Sequence, residues 1–351
     1  YDATGAVKGL LIEEARTNIA KYSEDFSNPY WNAFGARGTM VANATTAPDG
    51  TTTADKIMAV NADTTNGAFQ NATPVPTGGC VSVFAKADTV DWLGFGEAGD
   101  CWAYFDLANG VTGNKSTTVG YTSITAYPNG WYLCQAWGIT TSWSRVLFSP
   151  KPNEGNGDPW SNVTNAAGDS AFLWGAQLEA GSFPTSYIPT TGAAATRAAD
   201  IAEIPTSAFG YNNDQGSLVI DVLAPVADQL MPIALFNTST YNESRGLWKA
   251  HTGFNVAGDY LFFYSHDGVT TQFTIGQQTQ AGYTKLGLSY GDSEKAVSDG
   301  GTVLSGDSRS PNPTRLLLGG RDDGHQSQCW IKSIQYYPRQ LTDTQLQELT
   351  T

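Results

Sequence analysis

Apolar positions along this chain recur mostly at every second residue, in short runs, and seldom at the three-to-four spacing of a helix. In the first half the runs are "CVSVFAKAD", "DWLGFG", "CWAYFDLA", "GWYLCQAWGIT", "SRVLFS" and "SAFLWGAQLE". Between them lie "NATPVPTGG", "GEAGD", "ANGVTGN" and "YPNG", where Gly, Pro and Asn supply the backbone angles of tight turns. A second series follows residue 204, from "GSLVIDVLA" through "DYLFFYSHDG" and "YTKLGLSY" to "CWIKSIQYY". The pattern predicts an all-β protein of antiparallel sandwiches. One helix is expected, over "LTDTQLQELT", residues 341 to 350: Thr342 is its N-cap, Gln345 completes a capping box, and Leu341, Leu346 and Leu349 share a face.

The stretch "YIPTTGAAATRAAD", residues 187 to 200, is small and polar and is interrupted by Pro189 and Gly192, as a connection between domains is. It divides the chain into a first sandwich over residues 1–192, a linker over 193–203 and a second sandwich over 204–351. Alternation then assigns faces. In "CWAYFDLA", Cys101, Ala103, Phe105 and Leu107 form the apolar set, which predicts a buried thiol at Cys101 and turns Trp102, Tyr104 and Asp106 the other way. In "DYLFFYSHDG" both sets are partly apolar, so that strand is expected to be covered on both sides.

With 40% hydrophobic residues among 351, the chain can bury two cores of ordinary size. Its formal net charge of −14, with no basic stripe, argues against nucleic acid as a partner. No stretch approaches the roughly 20 apolar residues of a membrane-spanning helix, so membrane insertion is not expected. Cys80, Cys101, Cys134 and Cys329 include no CxxC pair and imply neither a disulfide framework nor a zinc site.

Catalytic signatures are scarce. There are three histidines, and no HExxH, GxSxG or phosphate-cradling GxxxxGK[ST] motif. Glu13 and Glu14 are adjacent, so on a strand they point to opposite faces and make no acid pair of the kind glycosidases use. The chain is therefore not expected to be an enzyme. Two acidic turns, with Asp322 and Asp323 in "RDDGHQ" and Glu154 and Asp158 in "NEGNGDPW", have the oxygen ligands that hold Ca²⁺. Solvated turns have the same composition, and no cofactor is required. The 10 tryptophans and 16 tyrosines matter more, because a ring face can stack on the C–H face of a sugar while polar neighbours bind its hydroxyls. Carbohydrate-binding candidates are Trp92, Trp102, Tyr104, Asp106 and Trp160 in the first sandwich, and Trp248 and Tyr264 in the second. The Trp102 strand is favoured because its opposite face already reads as core. Aromatic residues equally fill sandwich cores and subunit interfaces.

In order along the chain, "GLLIEEARTNI", "YSEDFSNPYW", "NATTAPDGTTTADKI", "GWYLCQAW" and "WGAQLEAGSFPTSYIPTTGAAATRAAD" together resemble a module of bacteriophage adhesins. Such modules occur in tail fibres, head spikes and gene-transfer-agent-like particles, and are similar to jelly-roll carbohydrate-binding modules. The later "RLLLGGRDDG" and "IKSIQYYPRQLTDTQLQELT" resemble the concanavalin A-like, or laminin-G-like, sandwich that often follows. The resemblance implies a receptor-binding protein at the virion surface, assembled in the bacterial host cytoplasm. Its partners would be a host surface or capsular glycan and other virion proteins. A homo-oligomer would fit such a fibre, although no coiled-coil heptad argues for one. The other readings are a structural spacer or decoration protein and a capsule depolymerase. "LLIEEARTN" and "WGAQLEAGSFPTSYIPT" read as neighbouring first and last strands of the first sandwich, with Arg16 pairing with Glu13 or Glu179 where the chain enters and leaves.

Overall fold

A computed structural model of the chain describes residues 7–32, 38–64, 67–97, 101–223, 231–237, 243–250, 260–277, 283–320 and 328–351. It is an all-β protein of antiparallel sheets with one α-helix among the described residues, Asp343–Thr350. Among the described residues no helix is long and apolar enough to cross a membrane. Packing divides the chain into Arg16–Arg197 and a second unit made of the residues up to Ala15 together with Ala198–Thr351. The first unit is thus inserted into the sequence of the second.

In the Arg16–Arg197 unit, a six-stranded sheet runs in the order Val119–Tyr127, Trp131–Ile139, Cys80–Ala87, Ser170–Glu179, Ala54–Ala59 and Gly38–Thr45. Opposite it, a five-stranded sheet runs Ala68–Val75, Trp143–Lys151, Trp92–Gly96, Trp102–Asp106 and Val111–Lys115. Alternate residues of the two sheets meet in one core, including Val81, Val83 and Cys134 from the first and Phe95, Phe105 and Phe148 from the second. Cys101, Ala103, Phe105 and Leu107 all belong to this core, as their alternation requires. The four cysteines are all buried.

The second unit is a pair of six-stranded sheets. One runs Leu10–Ile12, Cys329–Tyr337, Gly216–Leu223, Tyr283–Tyr290, Ser293–Ser298 and Leu304–Asp307. The other runs Ala202–Pro205, Arg315–Leu318, Met231–Asn237, Glu243–Ala250, Tyr260–Asp267 and Thr270–Gln277. Between them, Arg245 and Glu294 are both fully buried and joined by Nε and Nη2 bonds of 2.8–3.2 Å, while the guanidinium lies 3.8 Å from the Tyr290 ring centroid. The helix has the expected capping box: the Thr342 side chain accepts from Gln345 N–H and the Gln345 side chain accepts from Thr342 N–H. Leu341 and Leu346 pack it onto Val219 and Val297.

The N-terminal stretch differs from the expectation. "LLIEEARTN" is two short strands serving different units. Leu10–Ile12 pairs with Cys329–Ile331, whereas Arg16–Asn18 pairs with Ala195–Arg197. The residues read as a linker also form strands, Ala195–Arg197 and Ala202–Pro205, the latter paired with Arg315–Leu318. Gly9 explains part of this allocation: at φ 119° it lies where a Cβ would collide with the Ile331 carbonyl, so only glycine lets the strand dock there.

Arg16 is buried, donates from Nη1 to Ala180 O, and stacks its guanidinium 4.7 Å from the Phe183 ring centroid. Glu179 is fully buried and accepts from Thr185 N–H at 3.1 Å and Thr185 Oγ1 at 2.5 Å. Burial raises the Glu179 pKa; the Thr185 hydrogen bonds and, more weakly, the Arg16 charge oppose that rise. Glu13 belongs to the other unit, where its Oε1 accepts from Gln328 Nε2 and its N–H donates to Asp200.

Candidate functional site

The five-stranded sheet of the Arg16–Arg197 unit carries the favoured aromatic face. Register sets Trp92 beside Asp106, Gly94 beside Tyr104 and Gly96 beside Trp102. The sequence thus identified residues that share one outward face, but that face is covered by the chain itself. Tyr104 is fully buried, its hydroxyl donates to Gly157 O at 3.0 Å, and Gly155 presses on its ring. Trp160 packs on Leu147, and the Arg145 guanidinium sits 4.8 Å from its ring centroid. Asp106 is committed to a turn, accepting from Ala108 N–H, Asn109 N–H and Asn109 Nδ2. Trp102 and Trp92 remain half-buried, Trp102 edge-on to Tyr104 at 5.7 Å. Tyr104, Asp106 and Trp160 therefore present no open surface to a sugar. Farther along the same sheet, Lys151 Nζ donates to Thr64 O, Val163 O and Asn165 Oδ1.

In the second unit Trp248 and Tyr264 are likewise buried, in a cluster with Leu235 and Leu317. Of the metal candidates, Asp322 and Asp323 lie outside the described residues. Glu154 accepts from Asn114 N–H, and Asp158 caps its own turn through Trp160 N–H and Ser161 N–H. Among the described residues no three His, Cys, Asp or Glu side chains are placed to hold a metal ion.

A different feature of the same unit is open. A cleft of about 470 Å³ is lined by Tyr22, Glu24, Asp25, Asn43, Asp55 and Thr190, among others. Three segments distant in sequence build it. Ser23 N–H donates to Thr190 O at 3.2 Å and Thr190 N–H returns to Ser23 Oγ at 2.8 Å, which locks the first segment to the third. Asp55 joins the second: its Oδ1 accepts from Asn43 N–H at 2.8 Å and its Oδ2 from Ser27 N–H at 2.9 Å. Tyr22 and Asn43 both hold left-handed backbones, at φ 52° and 53°. For a tyrosine this is an unfavourable conformation, and such strain persists where surrounding structure enforces it. Trp31 helps to enforce it by donating Nε1–H to Tyr22 O at 2.9 Å.

The cleft is electrostatically one-sided: Glu24, Asp25 and Asp55 line it, and among the described residues no lysine or arginine does. Burial raises the pKa of Glu24 against a hydrogen bond from Tyr187, and Asp49 adds to the rise. Burial likewise raises that of Asp55, against the two backbone donors. Glu24 and Asp25 offer acceptors beside a half-buried tyrosine, which suits a hydroxyl-bearing ligand and disfavours an anion, whereas Asp55, 1% exposed and held by backbone donors on both oxygens, shapes the wall. Residue-by-residue reading passed over this site because no one segment contains it. Its signal was the phrases "YSEDFSN", "NATTAPDGTTTAD" and "YIPTTG", noted for their resemblance and here brought together.

No protein-family model matches the chain, and no curated protein matches it. Among solved structures, it is similar to the CBM40 module of the Ruminococcus gnavus IT-sialidase, with 15% identity over 43% of this chain and 97% of that one and a TM-score of 0.35. It is similar to the NanB sialidase of Streptococcus pneumoniae, with 13% identity over 42% of this chain and 26% of that one and a TM-score of 0.35. A SAP-like pentraxin of Limulus polyphemus has 7% identity over 40% of this chain and 73% of that one, with a TM-score of 0.32. These are partial likenesses, and no site residue is carried over from them.

Proposed function

We propose that this protein is a receptor-binding fibre or spike of a phage or phage-like particle, which attaches to a glycan of the host surface or capsule without cleaving it. The observation that supports the reading best is the cleft at Tyr22, where a half-buried ring and the carboxylates of Glu24 and Asp25 line one cavity whose wall is held by Asp55. The ordered resemblance to phage adhesins supplies the biological setting. Carboxylates without a lysine or arginine among them favour a neutral or amine-bearing sugar over an anionic one. A shallow site of this kind gains strength from many copies on one particle. Other virion proteins are the remaining partners, and Ca²⁺ is not required.

The test is binding of the purified protein to host cells and to their extracted polysaccharide, with and without a Ca²⁺ chelator, while released oligosaccharides are assayed. Saturable binding that is unchanged by the chelator and releases no product is expected. Product release would replace this reading with a depolymerase, for which Glu24 and Asp55 in one cleft would be the first residues to test. Absence of binding to a susceptible host would favour the spacer.

A further inference from the structure

The edge of the six-stranded sheet in the Arg16–Arg197 unit has an unusual make-up. Val119–Tyr127 is its outermost strand and pairs with Trp131–Ile139. From Ser116 to Ser144 the chain contains no charged residue and no histidine, in a protein of net charge −14. Edge strands are ordinarily guarded by charges, most often lysine; here the charge set against the strand comes from just before it, where Lys115 Nζ donates to Val119 O at 2.6 Å. On the outward face Tyr121 stacks on Trp137 at 5.5 Å and 19°, and Tyr121 is 59% exposed. Gly138, at φ 67°, lets the strand change its alternation, so that Ile139 enters the core while Trp137 stays outward. Next along the same face, Ser123 Oγ donates to Gln135 Oε1 at 3.2 Å, and Gln135 Nε2 donates to Ser82 Oγ at 3.3 Å. Tyr127, 39% exposed, closes the row. Tyr121 and Tyr127 are six residues apart, so about 20 Å of extended strand separates them.

We propose that this shelf is a second binding site, for an extended uncharged oligosaccharide that stacks on the Tyr121–Trp137 pair and bonds to Gln135. The proposal rests on the reading of the chain as a glycan binder. Ring faces interleaved with hydroxyls and an amide match a ligand with C–H faces and hydroxyl edges. The Gln135 amide is oriented by Ser82 and Ser123 and keeps a second N–H donor for that ligand. A protein partner would instead favour an apolar centre. Lys86, whose stem lies 3.7 Å from the Gly130 position, stands at the opposite end of the shelf from Tyr121. The pocket at Tyr22 and Asp55 differs in carrying carboxylates, so the two sites are separable by salt and by mutation.

The experiment titrates the full chain with malto-, cello-, manno- and N-acetylchito-hexaoses while tryptophan fluorescence is recorded at low and high salt. Binding of at least one hexaose with a fluorescence change and no salt dependence is expected. Tyr121→Ala, at an exposed position, should weaken it by about tenfold, the scale of one lost stacking contact. No binding of any hexaose, or binding that survives both Tyr121→Ala and Trp137→Ala, overturns the shelf. If the binding that survives both shelf variants is lost in Glu24→Gln, the glycan reading stands while the shelf falls. A concentration-dependent dimer abolished by Tyr121→Asp would assign this edge to a second copy of the chain and also overturn the proposal.

Discussion

Lys151 shows how one buried ammonium can join segments distant in sequence. It is fully buried, and it bonds to three acceptors at Thr64, Val163 and Asn165. Burial lowers its pKa to about 7, against the attraction of Asp158, Asp63 and Asp169. Its folded pKa thus lies below its unfolded one, near 10.5. Between those values the unfolded chain holds a proton that the folded chain does not, so this residue's contribution to stability rises with pH across that window. Lys151→Met should remove that slope in denaturant titrations, and should cost about 1–3 kcal/mol by leaving carbonyls without a donor. At the cleft the sign is opposite. Glu24 and Asp55 have raised pKa values, so their share of stability is present at low pH and is lost as pH rises through the folded values. Binding that uses Glu24 as an acceptor should weaken on acidification, beginning above the ordinary carboxylate range. Affinity measured from neutral to acidic pH checks this, and a flat profile would remove the carboxylates from the site.

At the scale of elements, local pattern and long-range pairing contribute differently. The helix Asp343–Thr350 is a local product: its capping box lies within four residues, and Thr342→Ala should cost about 1 kcal/mol in thermal or urea unfolding. The face assignment of Trp102–Asp106 was equally local and held, because alternation follows from strand geometry alone. What covered that face was not local, since the segment over Tyr104 comes from residues about the 150s. The Arg245–Glu294 pair is another long-range product. Its partners stand on strands of opposite sheets and are fully buried, with Ser265 Oγ and Arg309 N–H also donating to Glu294. Arg245→Met alone should destabilise the second unit by about 3–5 kcal/mol, because it leaves a buried carboxylate uncompensated. Replacing both partners with apolar residues should cost less than the sum of the single changes, as a double-mutant cycle would show.

For the whole molecule, the insertion is the main architectural fact. The Arg16–Arg197 unit closes on itself where the chain enters and leaves: Arg16–Asn18 pairs with Ala195–Arg197, and Thr17 Oγ1 meets Thr196 Oγ1 at 2.7 Å. The other unit takes one edge strand, Leu10–Ile12, from before the insertion. Deleting residues up to Ile12 should therefore lower the melting temperature of the second unit and leave that of the inserted unit unchanged. Calorimetry of the deletion variant reads both, and a loss confined to the inserted unit would contradict this assignment.

By itself the sequence determined the class of fold, the faces of strands such as Trp102–Asp106, and the capped helix. These follow from spacing within a few residues, where backbone sterics and alternation leave little choice. Only the tertiary structure decided which unit Leu10–Ile12 joins, that Tyr104 is covered, and that Tyr22, Asn43, Asp55 and Thr190 meet in one cleft. Each of these depends on pairing between segments tens to hundreds of residues apart. Hydrophobic alternation records that a face will be buried, but not which part of the chain will bury it.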